Sequence, residues 1–476
     1  MSTMLTTVTF RATSFGLRRR LTRCLNTRTT PPPLIEDLNS RGLVAQVTSP
    51  LTVYLGVDPT ARSLHAGNLL ALMGLLHFHI RGHSVIALIG GATGLIGDPG
   101  GRSTERPLLS QETLQTNVNG ITAQAHRFFE NASLYAAKRL ELNSKIQPPV
   151  VLNNIEWFQG MGLLEFLRTV GKHARVNVMI GRDRLNPWPR GDSVKNRLDS
   201  EHGISFTEFS YQLLQAYDFY LLNRKHNCRV QLGGSDQWGN IVSGIDLIRR
   251  RQDAESPEDS AREVFGLTIP LLLTSSGAKF GKSAGNAVWL DSSLTSYFDL
   301  YQFFIQISDE DAVKYLRMFT LLSHEELDAV VATHKLHPER RSAQRRLAAE
   351  VLELVHGEDA VRQAQAATNV LFGATPSERT TQPKASDVIK ALHSDPRLKF
   401  FASREDIMSE PVTKLAAQVG LTRSRGEARK TLLAGGFYVN NIRVSDDRSL
   451  TESDLVDGRI VILRTGKDNH AILAIE

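Results

Sequence analysis

Two hydrophobic rhythms divide this chain of 476 residues. From position 51 onward, short β-branched runs alternate with longer stretches whose apolar residues recur every three or four positions. The pattern predicts a strand at 51–57, a turn at Asp58-Pro-Thr60 and a helix over 65–81. A second strand follows at 84–89, ending at Gly90-Gly91, and Asp98-Pro-Gly-Gly101 has turn chemistry. Helices are predicted over 112–146, 155–172, 205–223 and 241–251, and strands at 150–153, 229–232 and 267–273. Strands separated by helices through short connections predict parallel βαβ units and an α/β fold.

After about residue 292 the strand pattern stops. Residues 296–372 read as helical, and a stretch rich in Pro, Ser and Thr near 374–385 reads as a linker. The last segment, 411–476, changes character again: a helical run, then Gly435-Gly436, then alternating stretches at 437–444 and 459–463. It reads as a small separate α+β module. No internal repeat is evident.

Charge changes this picture only at the N-terminus. The chain carries 56 basic and 50 acidic side chains, but residues 1–35 hold six of the arginines and no acid. Without them the body is balanced at 50 against 50, so the excess of charge does not imply nucleic-acid binding by the whole surface. An Arg-, Ser-, Thr- and Leu-rich segment free of acids reads as an organelle presequence over 1–33, mitochondrial in preference to chloroplast. No apolar run is long enough to span a bilayer. Two cysteines, Cys24 and Cys228, exclude a disulfide framework and a cysteine-rich metal site.

Four segments carry candidate chemistry. His65-Ala-Gly-Asn68 opens a helix after the first strand, where backbone N–H groups favour phosphate and Gly67 permits close approach. Lys279-Phe-Gly-Lys-Ser283 places Lys279 and Lys282 in a Gly/Ser-rich loop able to meet negative charge developing on a transferring phosphate. Tyr211, Gln215 and Asp218 share one face of an otherwise apolar helix, and a polar ligand would give that carboxylate and amide their partners. Gly233-Gly-Ser-Asp-Gln-Trp-Gly239 runs from a strand into a helix and sets Asp236 for a ribose. Gly90 to Gly97 lacks the G-x-G-x-x-G spacing of a dinucleotide site; its glycines let backbone pack on a substrate, with Asp98 available for an ammonium.

Taken together with Tyr54-Leu-Gly-Val-Asp-Pro-Thr60, these segments resemble the tyrosyl-tRNA synthetases of the bacterial and organellar type, from about residue 34 to the end. The resemblance implies a Rossmann-type catalytic domain over 34–291 with a dimer-interface insertion near 120–190. It implies a helical anticodon-side domain over 292–400 and an S4-type RNA-binding domain over 411–476. Tyr54 and Asp218 would hold the phenolic hydroxyl of tyrosine. Asp98, Tyr211 and Gln215 would hold its amino group, with Asn153 near the same pocket and Asp58 and Gln237 at the reacting centre. His65, with Thr60 nearby, would contact the ATP phosphates; Gly67 and Asn68 belong to that site, and Gly234 and Asp236 to the ribose. Arg102 and Arg106 match a basic pair closing on pyrophosphate, and Lys279 and Lys282 would clamp it. ATP, accompanied by Mg²⁺, is a substrate, and no dedicated protein metal site is expected.

Between Pro411 and Val444 six basic residues face one acid, Glu427, and Arg425, Arg429 and Lys430 fall on one helix, a pattern suited to phosphate-backbone contact. The partners implied are tyrosine, ATP, tRNA(Tyr) and a second copy of the chain, in the mitochondrial matrix, with no membrane. Two departures from the family's pattern stand out. Asn68 replaces the usual last histidine of the first signature, and the second reads Lys-Phe-Gly-Lys-Ser. The rival class is an RNA-binding protein on a retained synthetase scaffold; the full set of tyrosine and ATP positions argues for catalysis.

Overall fold

The computed structural model describes residues 51–99, 108–141, 148–181, 203–255, 263–275, 277, 280–283, 286–373, 383–467 and 469–476. The presequence region, Arg102, Arg106 and Lys279 lie outside these residues, and Lys282 is described only through its backbone.

The first layer is a five-stranded parallel sheet. Strand β1 (Thr52–Val57) leads through a turn of 3₁₀ helix (Ala66–Asn68) into α1 (Leu69–His79) and β2 (Ser84–Ile89). The short α2 (Thr93–Ile96) and long α3 (Gln111–Arg139) precede β3 (Val150–Asn153). Then come α4 (Leu163–Thr169), α5 (Val176–Gly181), α6 (Phe206–His226), β4 (Cys228–Gly234), α7 (Trp238–Glu255) and β5 (Phe265–Ile269). The order is β3-β2-β1-β4-β5 with every pair parallel. Strand alternation divides the core: Val53, Leu55, Val85 and Ala87 pack with α1, while Tyr54, Ile86 and Leu88 pack with Phe219 and Leu222 of α6 and Leu247 of α7. The direction of winding reverses between β1 and β4, so a ligand crevice is expected beyond their C-terminal ends.

The helical domain contains α8 (Tyr297–Ile305), α9 (Asp309–Phe319), α10 (His324–Leu336), α11 (Ser342–His356) and α12 (Glu358–Phe372). It shares one hydrophobic core with the sheet's α1 face. A buried polar contact also joins α3 to α11. Glu350 accepts from the Tyr135 hydroxyl (2.6 Å) and Arg346 Nε (2.7 Å) and pairs with Arg139.

The C-terminal part comprises α13 (Ala385–Ala391), β6 (Leu398–Phe401), α14 (Val412–Gln418), α15 (Arg425–Leu433), β7 (Phe437–Val439), β8 (Ile442–Arg443), β9 (Ile460–Thr465) and β10 (Asn469–Ile475). Its sheet runs β8-β7-β9-β10-β6, antiparallel except for the β10/β6 pair. Ile460, Ile462, Ile472 and Ala474 pack against Ala367, Leu371 and Val388, so this sheet is docked on the helical domain.

Several boundaries differ from the sequence expectation for local reasons. The helix expected over 155–172 breaks at Gly160-Met-Gly162 into Ile155–Phe158 and α4. Pro270 cannot donate to a ladder, and β5 ends at Ile269, short of the expected 273. The strand expected over 437–444 is a hairpin: Asn440 and Asn441 both take positive φ (48° and 65°), as a two-residue turn requires. The C-terminal unit starts before 411, because β6 adds an edge strand at 398–401. Among the described residues no helix is long and apolar enough to cross a membrane.

Candidate active site

The crevice between β1 and β4 is lined by a connected set of polar side chains. At the end of β1, Asp58 accepts from Thr93 Oγ1 (2.7 Å) and from the Tyr211 hydroxyl (2.8 Å). A Cβ at position 90 would lie 2.2 Å from Asp58 Oδ1 and 2.3 Å from Thr93 Oγ1, so a side chain there would displace this pair. Asn154 Nδ2 donates to Thr93 Oγ1 (3.1 Å) and to Asp218 Oδ2 (3.1 Å). Trp157 Nε1 donates to Asp218 Oδ1 (2.7 Å). Tyr211, Asp58, Thr93, Asn154, Asp218 and Trp157 therefore form one chain of contacts.

Helix α6 supplies the far wall, and its start is fixed by a capping box. Ser205 Oγ accepts from Glu208 N (3.2 Å) while Glu208 Oε2 accepts from Ser205 N (3.3 Å). That register turns Tyr211, Gln215 and Asp218 to one side. Asp218 is 2 % exposed. Burial pushes its carboxyl up to about 8, against the lowering effect of the Asn154 and Trp157 bonds; the Asp58 charge pushes the same way as burial. The Tyr54 hydroxyl is buried, makes no hydrogen bond among the described residues, and is held well above the usual phenol range by burial and the Asp218 charge. Burial, then Asp58 and Asp98, raise Tyr211 likewise.

A second group of contacts borders the first. Gln237 Nε2 donates to Asp98 Oδ2 (2.7 Å). Asn240 Nδ2 donates to Gln215 Oε1 (3.1 Å) and Gln237 Oε1 (3.0 Å), tying α6 to α7. Gly234 lies against Asp236, whose Oδ1 would be 2.3 Å from an added Cβ.

The first signature is a tight turn. His65 Nδ1 accepts from Gly67 N (3.0 Å), which leaves the ring proton on Nε2 as a donor. Asn68 Oδ1 accepts from His65 N (3.0 Å), so this asparagine caps the turn with its oxygen and keeps its amide N–H groups. The second signature touches the first through backbone. Gly281 has φ +84°, and a Cβ there would lie 2.7 Å from Gly67 N. The chain then returns beside His65: Ala66 N donates to Val288 O (2.8 Å), and His65 bridges Trp289.

The structure thus brings Tyr54, Asp58, Asp98, Tyr211, Gln215, Asp218 and Gln237 to one crevice. Thr60 is exposed beyond the end of β1. Asn153 faces the glycine turn instead of Asp218: its Oδ1 accepts from Gly91 N (3.2 Å) and Ile155 N (3.1 Å). The neighbouring Asn154 is the residue that reaches Asp218. Sequence reasoning missed Thr93, Asn154, Trp157 and Asn240; a polar pair at Asn154 and Trp157, three apart at the start of a helix, was the available signal. On α15, Arg425 is engaged by Asp447 (3.3 Å) and Thr413 (3.3 Å), while Arg429 and Lys430 are exposed.

Residues 46–373 match the family of class I tRNA synthetases for W and Y, and residues 402–473 match the tyrosine-tRNA ligase SYY-like C-terminal domain. A tyrosine-tRNA ligase of Rhodopirellula baltica is 43% identical over 455 residues, covering 93% of this chain and 96% of the relative. The chain belongs to the tyrosine-tRNA ligase family. The mitochondrial tyrosine-tRNA ligase of Drosophila melanogaster is 40% identical, covering 93% of this chain and 90% of its own length. The C-terminally truncated mitochondrial tyrosyl-tRNA synthetase of Aspergillus nidulans superposes with a TM-score of 0.63 at 34% identity, covering 70% of this chain and 92% of that one.

Proposed function

We propose that this ligase activates tyrosine with MgATP and transfers it to tRNA(Tyr) in the mitochondrial matrix, working as a homodimer. The observation that carries the amino-acid choice is the buried pair of Asp218, fixed by Trp157 and Asn154, and the Tyr54 hydroxyl, which makes no hydrogen bond among the described residues. A phenol entering between them completes both. A phenyl ring adds nothing to the Trp157 and Asn154 bonds of Asp218 and leaves the Tyr54 hydroxyl unsatisfied, and an unsatisfied buried polar group costs about 1–3 kcal/mol.

The same crevice orders the chemistry. Asp98, Tyr211 and Gln215 hold the substrate ammonium, and Asp58 and Gln237 stand at the carboxylate end. One oxygen of that carboxylate bonds to the α-phosphorus of ATP, the bond from that phosphorus to the β-phosphate oxygen breaks, and pyrophosphate leaves with the electron pair. No protein nucleophile takes part. His65 Nε2–H meets the phosphates, Asp236 accepts from the ribose hydroxyls, and Lys279 and Lys282 balance the charge on the departing pyrophosphate. Arg102 and Arg106 serve the same end of the site. Positioning and charge stabilisation account for the rate. The terminal ribose hydroxyl of tRNA then attacks the activated carbonyl and AMP leaves.

Three further readings belong to this proposal. The mitochondrial site of action rests on the acid-free N-terminal segment and on the mitochondrial relatives. The homodimer rests on apolar side chains left exposed on α4 and α5, namely Leu163, Leu164, Leu167, Val176 and Ile180, a cluster that a second copy would cover. Exposed Arg429 and Lys430 on α15 contact the tRNA backbone, in an S4-type module. The test is aminoacylation of mitochondrial tRNA(Tyr) with labelled tyrosine by the chain lacking residues 1–33. Charging of that tRNA supports the reading, and failure to charge any tyrosine tRNA overturns it.

A further inference from the structure

Helix α9 of the helical domain grips the segment that leads into the lysine signature. Asp311 accepts from Ser275 N (2.9 Å to one carboxylate oxygen, 3.1 Å to the other) and from Ser275 Oγ (3.0 Å). The Tyr315 hydroxyl donates to Leu273 O (3.1 Å). Phe280, inside the signature, enters the domain itself. Its ring centre lies 4.7 Å from that of Tyr315, 5.3 Å from Phe303, 5.6 Å from Phe319 and 6.0 Å from Phe304, and the residue is 5% exposed. Phe280 N donates to Leu272 O (3.0 Å), which closes the loop at its base.

The next residue faces the other way. Gly281 packs its backbone on Gly67 of the first signature, and its carbonyl accepts from Val288 N (2.9 Å). Phe280-Gly281 is therefore pinned on both sides: aromatic rings of the helical domain on one, the His65 turn on the other. Lys279 and Lys282 are adjacent to this pin in sequence, one on each side. Consecutive Cα atoms lie about 3.8 Å apart, so a fixed Phe280 restricts where both lysine backbones can be. A solvated lysine loop has no need of a buried aromatic. A loop whose two ammonium groups must meet a moving phosphate gains from one, because fixing the backbone beforehand lowers the entropy lost in the transition state.

We propose that Phe280 is a positioning residue for tyrosyl-adenylate formation. It anchors the lysine signature in the aromatic cluster beside α9, so that the placement of the two lysines depends on the helical domain. This rests on the activation of tyrosine described above. The test uses the full chain from residue 34, single-turnover formation of tyrosyl-adenylate with MgATP, and separate titrations for tyrosine and ATP. Phe280→Ala is expected to lower the rate constant about 20-fold or more, while the tyrosine dissociation constant stays within about twofold. Phe280→Met, long and apolar, is expected to recover most of the loss. Val388→Ala serves as the control. It removes buried volume from a separate core cluster and should lower the melting temperature without lowering the rate. An unchanged rate in folded Phe280→Ala overturns the proposal; should that variant not fold, the same holds for Phe280→Leu. An equal rate loss in Val388→Ala also overturns it. A wild-type protein that forms no adenylate refutes the tyrosine reading instead.

Discussion

Asp218 sets stability against substrate binding, and the pH dependence of folding exposes the conflict. Its carboxyl is pushed up from 3.8 to about 8 in the folded chain, chiefly by burial. The folded protein therefore keeps a proton that the unfolded chain gives up near pH 4. The contribution is fully present below the unfolded value and is lost as pH rises through about 8. At about 1.4 kcal/mol per unit, a shift of this size corresponds to roughly 3–6 kcal/mol across the window. Asp218→Asn keeps an oxygen for Trp157 and cannot ionise, so it lacks this slope. Urea unfolding of both proteins at constant ionic strength, from pH 5.5 to 8.5, should show the variant gaining on the wild type as pH rises. Above about pH 8, where Asp218 is ionised, the same substitution removes the charged acceptor proposed for the tyrosine hydroxyl. A hydrogen bond to a charged group is worth about 1.5–3 kcal/mol, so tyrosine should bind roughly 10- to 100-fold more weakly. A stability gap that stays constant to within about 0.5 kcal/mol over that pH range would refute the assignment of a strained, buried carboxyl.

Other perturbations follow from the same contacts. Trp157→Phe removes the 2.7 Å donor to Asp218; it should weaken tyrosine binding about tenfold with ATP binding unchanged, read by equilibrium titration. Glu350→Ala leaves Arg139, Arg346 and Tyr135 without their shared acceptor between α3 and α11. It should cost about 3 kcal/mol in unfolding experiments while leaving the adenylate rate near wild type. Leu164→Asp puts a charge into the exposed apolar cluster of α4. Sedimentation should show a monomer where the wild type sediments as a dimer, and an unchanged mass would place the interface elsewhere.

The parts of the site that a sequence displays are those built on one element. Tyr211, Gln215 and Asp218 follow one another at helical spacings of four and three, and the strand-turn-helix around His65 has a period that can be read directly. What the sequence hides is contact between elements. Asn153 and Asn154 are neighbours of the same type, and only the parallel register of β3 beside β2, at Ile89 and Asn153, decides which of them faces the glycine turn and which reaches α6. Thr93 sits in a glycine run whose backbone drew the attention, yet its hydroxyl links Asp58 to Asn154. The C-terminal edge strand at 398–401 was hidden for a similar reason. Four residues beside a linker carry too little pattern, and their pairing with Ile472–Ile475 is a long-range event. Phe280 read as one letter of a lysine motif until the rings of α8 and α9 stood around it.

The central claim is that this crevice selects and activates tyrosine. Amino-acid-dependent ATP–pyrophosphate exchange, run with tyrosine and with phenylalanine and tryptophan as controls, tests it most directly. The account predicts robust exchange with tyrosine, little with the other two, and loss of the tyrosine signal in Asp218→Ala. Exchange with none of the three amino acids, or exchange with phenylalanine equal to that with tyrosine, would contradict it.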